Sequence, residues 1–237
     1  MKATILKEYK YTTELHCHTF PASGCSHLSA SELVALYKEM GVATIVLTNH
    51  YYQHLYTDRA QLRVKEEAVQ EYIRCYRDLQ QCAQAEGIAC ILGMEIRFAE
   101  NENDYLLYGI SEADVAPLFD SLGGDLKTFC SQYKKDTMLL YQAHPFRNKM
   151  IPADPDYLDG IEVFNMHPGS NSRVIAAREY AQTYNLPMIG GSDCHQTDHV
   201  GGCLLRTKER IKTPEQLVSV LKNGDYVLDI RGSIVLV

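Results

Sequence analysis

The chain has 237 residues, 46% of them hydrophobic and 22% charged, with a formal net charge of −7. That length suits one large domain spanning residues 1–237, and the composition excludes a disordered chain. The acidic balance supplies no basic footprint, which disfavours generic binding of duplex nucleic acid but leaves room for a small basic pocket holding a phosphate.

The N-terminal run MKATILKEYKYTTELH lacks the apolar core of a signal peptide, and no later stretch approaches the length of apolar sequence that spans a bilayer. The expectation is a cytoplasmic protein with no membrane partner. Its cysteines, at 17, 25, 75, 82, 90, 130, 194 and 203, form no CxxC pair. Neither a zinc knuckle nor a dithiol site is suggested, and in a reducing compartment most read as core thiols.

The first strand ends in TTELHCHTF. Strand side chains alternate faces, so His16 and His18 point one way and Cys17 the other. Two imidazoles on one face form half of a metal site. Next, HLSASELVALYKEMGVATIVLTNH gives a cap at Ser29 or Ser31, a helix with Leu33, Leu36 and Tyr37 inward, a stop at Gly41 and a buried strand. A long polar helix over about 60–86 closes at Gly87 and passes into the strand IACILGMEIRF. TMLLYQAH, GIEVFN, a helix over about 171–185, PMIGGSD and the capped helix TPEQLVSVLKNG complete the series. Apolar strands alternating with helices predict an α/β fold with a mostly parallel sheet, and at this length a barrel.

Ligand-type residues collect where these strands end: His16 and His18, then Asn49 and His50, Glu95, His144, Glu162 with Asn165, and Asp193 with His195. In β/α barrels the C-terminal strand ends form the active-site face, so these distant residues are expected to converge.

The segments ELHCHT, IVLTNHY, GMEIRF, AHPFR and GGSDCH, in that order over residues 14–195, resemble the PHP family of polymerases and histidinol phosphatases. The resemblance implies a distorted (β/α)7 TIM-like barrel, two to three divalent metal ions and hydrolysis of phosphoesters. Carried over by position, His16, His18, Glu95 and Asp193 would share one metal. Glu95 would bridge to a second held by His144, and His50 and His195 would hold a third. The mixed imidazole and carboxylate set suits zinc, manganese or iron.

Three departures from the family pattern stand out. Asn49 replaces the aspartate of TDH, and Asp104 stands where a histidine is usual, either as a hard ligand or as a turn residue in AENEND. In the loop SGCSH, Cys25 or His27 could complete the third site.

The reaction expected is attack by a metal-activated water on a small phosphate ester, with Glu95 central to the cluster. Arg147 is expected on a phosphate oxygen, with His167 and Asn165 beside it. His199 is expected to protonate the leaving group. Ser170 and Asn171 mark a helix start that could receive an anion, Tyr51 and Tyr52 could wall the pocket, and His54 reads as surface. Alternatives are a nuclease for single strands or oligonucleotides, a protein-tyrosine phosphatase, and a non-catalytic scaffold.

Overall fold

The computed structural model describes residues 2–55, 58 and 60–237. In chain order the elements are α1 (Lys2–Glu8), β1 (Tyr11–Cys17), α2 (Ala30–Glu39), β2 (Thr44–Leu47), β3 (His50–Tyr51), α3 (Lys65–Ala85), β4 (Ala89–Leu92), β5 (Met94–Arg97) and β6 (Asp104–Tyr108). There follow α4 (Glu112–Ser121), α5 (Leu126–Gln132), β7 (Leu139–Gln142), β8 (Gly160–Asn165), α6 (Val174–Thr183), β9 (Met188–Gly191), β10 (Leu204–Thr207), α7 (Pro214–Asn223), β11 (Val227–Ile230) and β12 (Ser233–Val235). None of the described helices is long and apolar enough to cross a membrane.

The strands form two sheets, ordered β12-β11-β10-β1-β2-β4 and β3-β5-β6-β7-β8-β9. They are joined because β2 continues into β3 through Thr48 and Asn49, and β4 into β5 through Gly93. The last seam lies between β9 and β1. There a parallel bridge links Cys17 and Cys194, with His18 N–H donating to the Cys194 carbonyl at 2.9 Å and Cys194 N–H to the His16 carbonyl at 3.2 Å. The resulting ring has seven positions, matching the TIM-like α/β expectation.

Two features differ from the alternating pattern. IACILGMEIRF is two strands, because a Cβ at Gly93 would lie 3.0 Å from the Val46 side chain, and the chain steps from one sheet to the other there. β6 is antiparallel to both β5 and β7, and β10 to β12 form an antiparallel extension beside β1. Hydrophobic runs locate strands but do not give their direction.

Helix signals explain the covering layer. Ser29 and Glu32 form a reciprocal capping box on α2, and Thr213 and the left-handed Gly224 bound α7. Leu33, Val34 and Tyr37 of α2 pack with Tyr72 and Leu79 of α3, Val115 of α4 and Phe129 of α5 in the largest core cluster. Burying each such aliphatic side chain stabilises the fold by roughly 1.5–3 kcal/mol. A second cluster joins Leu217 and Leu221 of α7 to Leu15, Val46 and Leu205, and Ala177 and Ala181 of α6 cover Ile161 and Val163. α6 begins at Val174 rather than near 171, because Arg173 takes a left-handed conformation at φ 46°. Ser170 and Asn171 therefore precede the helix and do not form its anion-receiving start. Cys17, Cys75, Cys194 and Cys203 are buried as expected, whereas Cys25, Cys82, Cys90 and Cys130 are only partly so.

Gly191 closes β9 against β1. A Cβ there would collide with His16 Cβ and come within 2.7 Å of Glu162 Oε1. Gly191→Ala is therefore expected to destabilise the protein by roughly 1–3 kcal/mol, the range for overpacking a tight interior. Urea unfolding of the variant against wild type checks this, and an unchanged midpoint would contradict the close approach.

Candidate metal centre

Seven of the residues expected from the strand ends meet in one place. Nε2 of His16 and of His18 lie 3.5 and 3.4 Å from Glu95 Oε2, and 3.4 and 3.3 Å from Asp193 Oδ1. His144 Nε2 is 3.1 Å from Glu95 Oε1 and His50 Nδ1 is 2.6 Å from Glu95 Oε2. His195 stacks on His18 at 4.2 Å between ring centres. Ligand atoms of His16, His18 and Glu95, of His18, His50 and His195, and of Glu95, Asp104 and His144 each fall within 4.8 Å of one another.

The residues fit divalent metals on a direct observation. Nε2 of His16, Nε2 of His18 and Oε2 of Glu95 are buried and have no hydrogen-bond partner. The short approach of His50 Nδ1 to Glu95 lacks the direction of a hydrogen bond. Buried polar atoms left unpaired are costly, and three converging on one point are what a cation would satisfy.

Behind the cluster, the bonding partners fix which nitrogen of each ring carries the proton. His16 Nδ1 donates to Glu162 Oε1 at 2.8 Å, so its Nε2 keeps the lone pair. For His18 the assignment runs through three residues. Asn49 Oδ1 accepts the Thr19 amide at 2.7 Å and the Ser23 hydroxyl at 2.9 Å. With its proton so used, Ser23 Oγ accepts from His18 Nδ1 at 3.1 Å and from the His50 amide at 2.9 Å. Asn49 thus orients the His18 imidazole, and holds the His50 backbone, through Ser23. His195 Nδ1 donates to the Asp193 carbonyl at 3.0 Å. The Tyr52 hydroxyl donates its proton to Asp104 at 3.0 Å and so accepts from His50 Nδ1 at 2.7 Å. In the neutral form that binds metal, His16, His18, His50 and His195 therefore carry the proton on Nδ1 and the lone pair on Nε2.

Burial opposes the charge on Glu95, yet His50 and His16 hold its carboxyl well below the usual range. Burial likewise opposes ionisation of Asp193, and His16 and Arg147 outweigh it. Burial lowers His50, but Glu95 and Cys25 outweigh it and raise the ring to about 10. His18 is lowered well below its ordinary value by burial and by the neighbouring His195 and His50.

The third-site alternatives are placed differently. Cys25 faces His50 and His195, which outweigh burial and lower its thiol to about 6. His27 is exposed on the loop, its backbone N–H bonded to the His195 carbonyl. Asp104 is the first residue of β6, not a turn residue. Both its oxygens accept from Arg97, each at 2.8 Å, and Tyr52 donates to it at 3.0 Å. His144 and Asp193 sit at φ 30° and 51°, strain of the kind that marks functional positions.

A cavity of about 720 Å³ opens over the cluster, with Arg97, Arg147, His167 and His199 in its wall. Arg147 donates to Asp193 at 2.6 Å and to Asn165, while its Nε is buried without a partner. Asn165 does not line the cavity. Its amide donates to Glu162 and Asp193, and its oxygen accepts from Arg147 and the His167 amide. Tyr52 lines the cavity, but Tyr51 is fully buried against Tyr72 and Phe119. His54 is half-buried, with its Nδ1 enclosed, rather than a free surface residue. Burial lowers His199 and takes His167 down to about 4, which keeps both rings neutral near pH 7.

The motif reading named Glu162 only as a strand-end residue and missed Ser23 and Arg97. Their roles depend on partners far away in sequence, and no spacing signal marks them.

A family model described as PHP-associated matches residues 175–226. The fold is close to that of a two-domain protein from Bacteroides vulgatus that contains a predicted PHP-like metal-dependent phosphoesterase, with a TM-score of 0.63 and 20% identity over 92% of this chain. This is a PHP fold. The chain spans 64% of the length of that structure. The same PHP fold is similar to PsfC from Pseudomonas syringae, at a TM-score of 0.62 and 16% identity over 88% of each chain. It is also similar to the lesion-specific endonuclease PfuEndoQ from Pyrococcus furiosus, at 0.53 and 12% identity over 90% of this chain and 56% of that one. No curated protein matches the chain in sequence.

Removing the carboxylate that orients His16 tests how the PHP-fold cluster is built. Glu162→Gln is expected to weaken binding of zinc or manganese by roughly ten- to a hundredfold, the usual range for loss of a partner behind a ligand. Competition with a chromogenic chelator measures it, and wild-type affinity would show that Glu162 does not set the His16 ring.

Proposed function

We propose that the protein is a metal-dependent phosphoesterase that hydrolyses a small phosphate ester. The observation that carries this reading is the convergence of unpartnered Nε2 atoms of His16 and His18 with Glu95 Oε2 beneath a cavity walled by two guanidinium groups. His16, His18, Glu95 and Asp193 would hold one ion, and Glu95 with His144 and Asp104 a second. His50, His195 and Cys25 would hold a third. Zinc, manganese or iron bound there would supply a nucleophile derived from water and offset phosphoryl charge.

The chain's own residues account for the rest of the chemistry. Arg147 lines the cavity and has a buried Nε without a partner, and its guanidinium would receive a phosphate oxygen. Its contacts on Asp193 and Asn165 fix the guanidinium at the cavity wall. Arg97 is braced by Asp104 and lies 4.7 Å over the Tyr52 ring, adding positive potential without long reach. Asn165 acts as a positioning residue, holding Arg147, Glu162 and Asp193 in one network.

A cavity of about 720 Å³ suits a small molecule, and neither the chain's net charge of −7 nor the cavity wall offers the basic, aromatic track of a nucleic-acid groove.

Protein purified without a chelator or histidine tag is expected to carry two to three equivalents of zinc, manganese or iron per chain, read by elemental mass spectrometry. Chelation should abolish turnover of phenyl phosphate and lower the melting temperature, because bound metal stabilises the folded form. Glu95→Gln should lower metal content and turnover together by about a hundredfold or more while the circular dichroism spectrum is retained. A folded Glu95→Gln protein with wild-type activity would remove the assignment.

A further inference from the structure

His167, His195 and His199 form another close trio in the cavity wall, with ligand atoms within 4.8 Å of one another. By position it looks like one more metal site. The bonding of its rings points elsewhere. The Gly169 backbone N–H donates to His167 Nδ1 at 3.0 Å, and the His195 backbone N–H donates to His199 Nδ1 at 3.3 Å. A backbone amide can only donate, so each Nδ1 must offer its lone pair, and in the neutral ring the proton then sits on Nε2. This is the reverse of the arrangement at His16 and His18, whose Nδ1 atoms donate and whose Nε2 atoms have no partner. Binding a metal through Nε2 of His167 or His199 would force a proton onto Nδ1, against a backbone N–H.

We infer that His167 and His199 form a paired hydrogen-bond donor site for the leaving group of the substrate, and that this group is a polyhydroxylated alcohol, so that the substrate is a polyol or sugar phosphate. The inference rests on the phosphoesterase reading and deepens it. Both rings line the cavity, 4.5 Å apart between centres, so their Nε2–H groups can reach neighbouring hydroxyls of one molecule.

The surrounding groups select among leaving groups. Asp198, exposed at the cavity edge with Oδ1 3.6 Å from His199 Nε2, accepts hydrogen bonds and repels a second anion. Gln196 and Ser170 offer both donors and acceptors. A hydroxyl is the group that accepts from an imidazole N–H and donates to a carboxylate at once. A nucleobase would instead need a stacking face. Tyr52 is the only phenyl-type ring in the described wall, and Arg97 already covers it.

Two measurements test the site on the full-length, zinc-loaded protein. Long-range 1H–15N spectra of the histidine rings should show Nε2-protonated rings for His167 and His199, assigned by single His→Gln variants. Nδ1 protonation of either would overturn the donor pair. The second is the ratio of kcat/KM for glycerol 1-phosphate to that for phenyl phosphate, whose leaving group has no further hydroxyl. Wild type should prefer the glycerol ester. His167→Leu and His199→Leu should each cut that preference by about tenfold, the value of one well-placed hydrogen bond. His167→Gln, whose amide can donate in place of Nε2–H, should restore most of it. Turnover of both esters without preference, or a preference untouched in the leucine variants, overturns the inference alone. Turnover of neither ester by metal-loaded wild type overturns the phosphoesterase reading and the inference with it.

Discussion

A fully buried carboxylate, Glu95, is the group around which the rest of the centre is arranged. An isolated ionised carboxyl would not remain charged in that position; it stays ionised because imidazoles approach it from several strands. Each imidazole is in turn a buried polar group that needs a defined partner on its far side. Glu162 serves His16, the Ser23 and Asn49 pair serves His18, and the Asp193 carbonyl serves His195. Remove Glu95 and these rings lose their common focus. Remove an outer partner and one ring loses its orientation.

The same rule, that each buried nitrogen takes the role its neighbour leaves open, divides the cavity into two chemistries. Oxygen acceptors behind the first set of rings leave lone pairs facing inward. Backbone donors beside His167 and His199 leave N–H groups instead. Identical side chains a few ångströms apart thus present either a lone pair or an N–H according to the group next to them.

The sequence made the fold class and the main cluster legible because both depend on local pattern. Apolar runs of four to six residues mark the strands, and the ligand types at their ends, from His16 to His195, fall on one rim wherever such strands lie side by side. The direction of β6 was not legible, since an apolar run reads the same either way. Nor was the choice between Cys25 and His27, two loop residues told apart only once the fold sets the Cys25 thiol beside the His50 and His195 rings and leaves His27 exposed. Ser170 and Asn171 look like a helix start, and only the left-handed Arg173 shows that the helix begins later. Arg97 gives no sequence signal because its partner Asp104 is recognised only across the antiparallel β5–β6 pair.

The seam between β1 and β9 is narrow, a single bridge from Cys17 to Cys194 with two backbone hydrogen bonds. His16 and His18 flank it on one side, and Asp193 and His195 on the other. The residues that close the barrel are thus the residues of the candidate metal centre, or their immediate neighbours. A chain that lost these side chains would lose cross-links over its weakest joint along with its chemistry. The centre therefore resists piecemeal redesign: replacing one ligand by another reshapes a closure on which the whole ring depends.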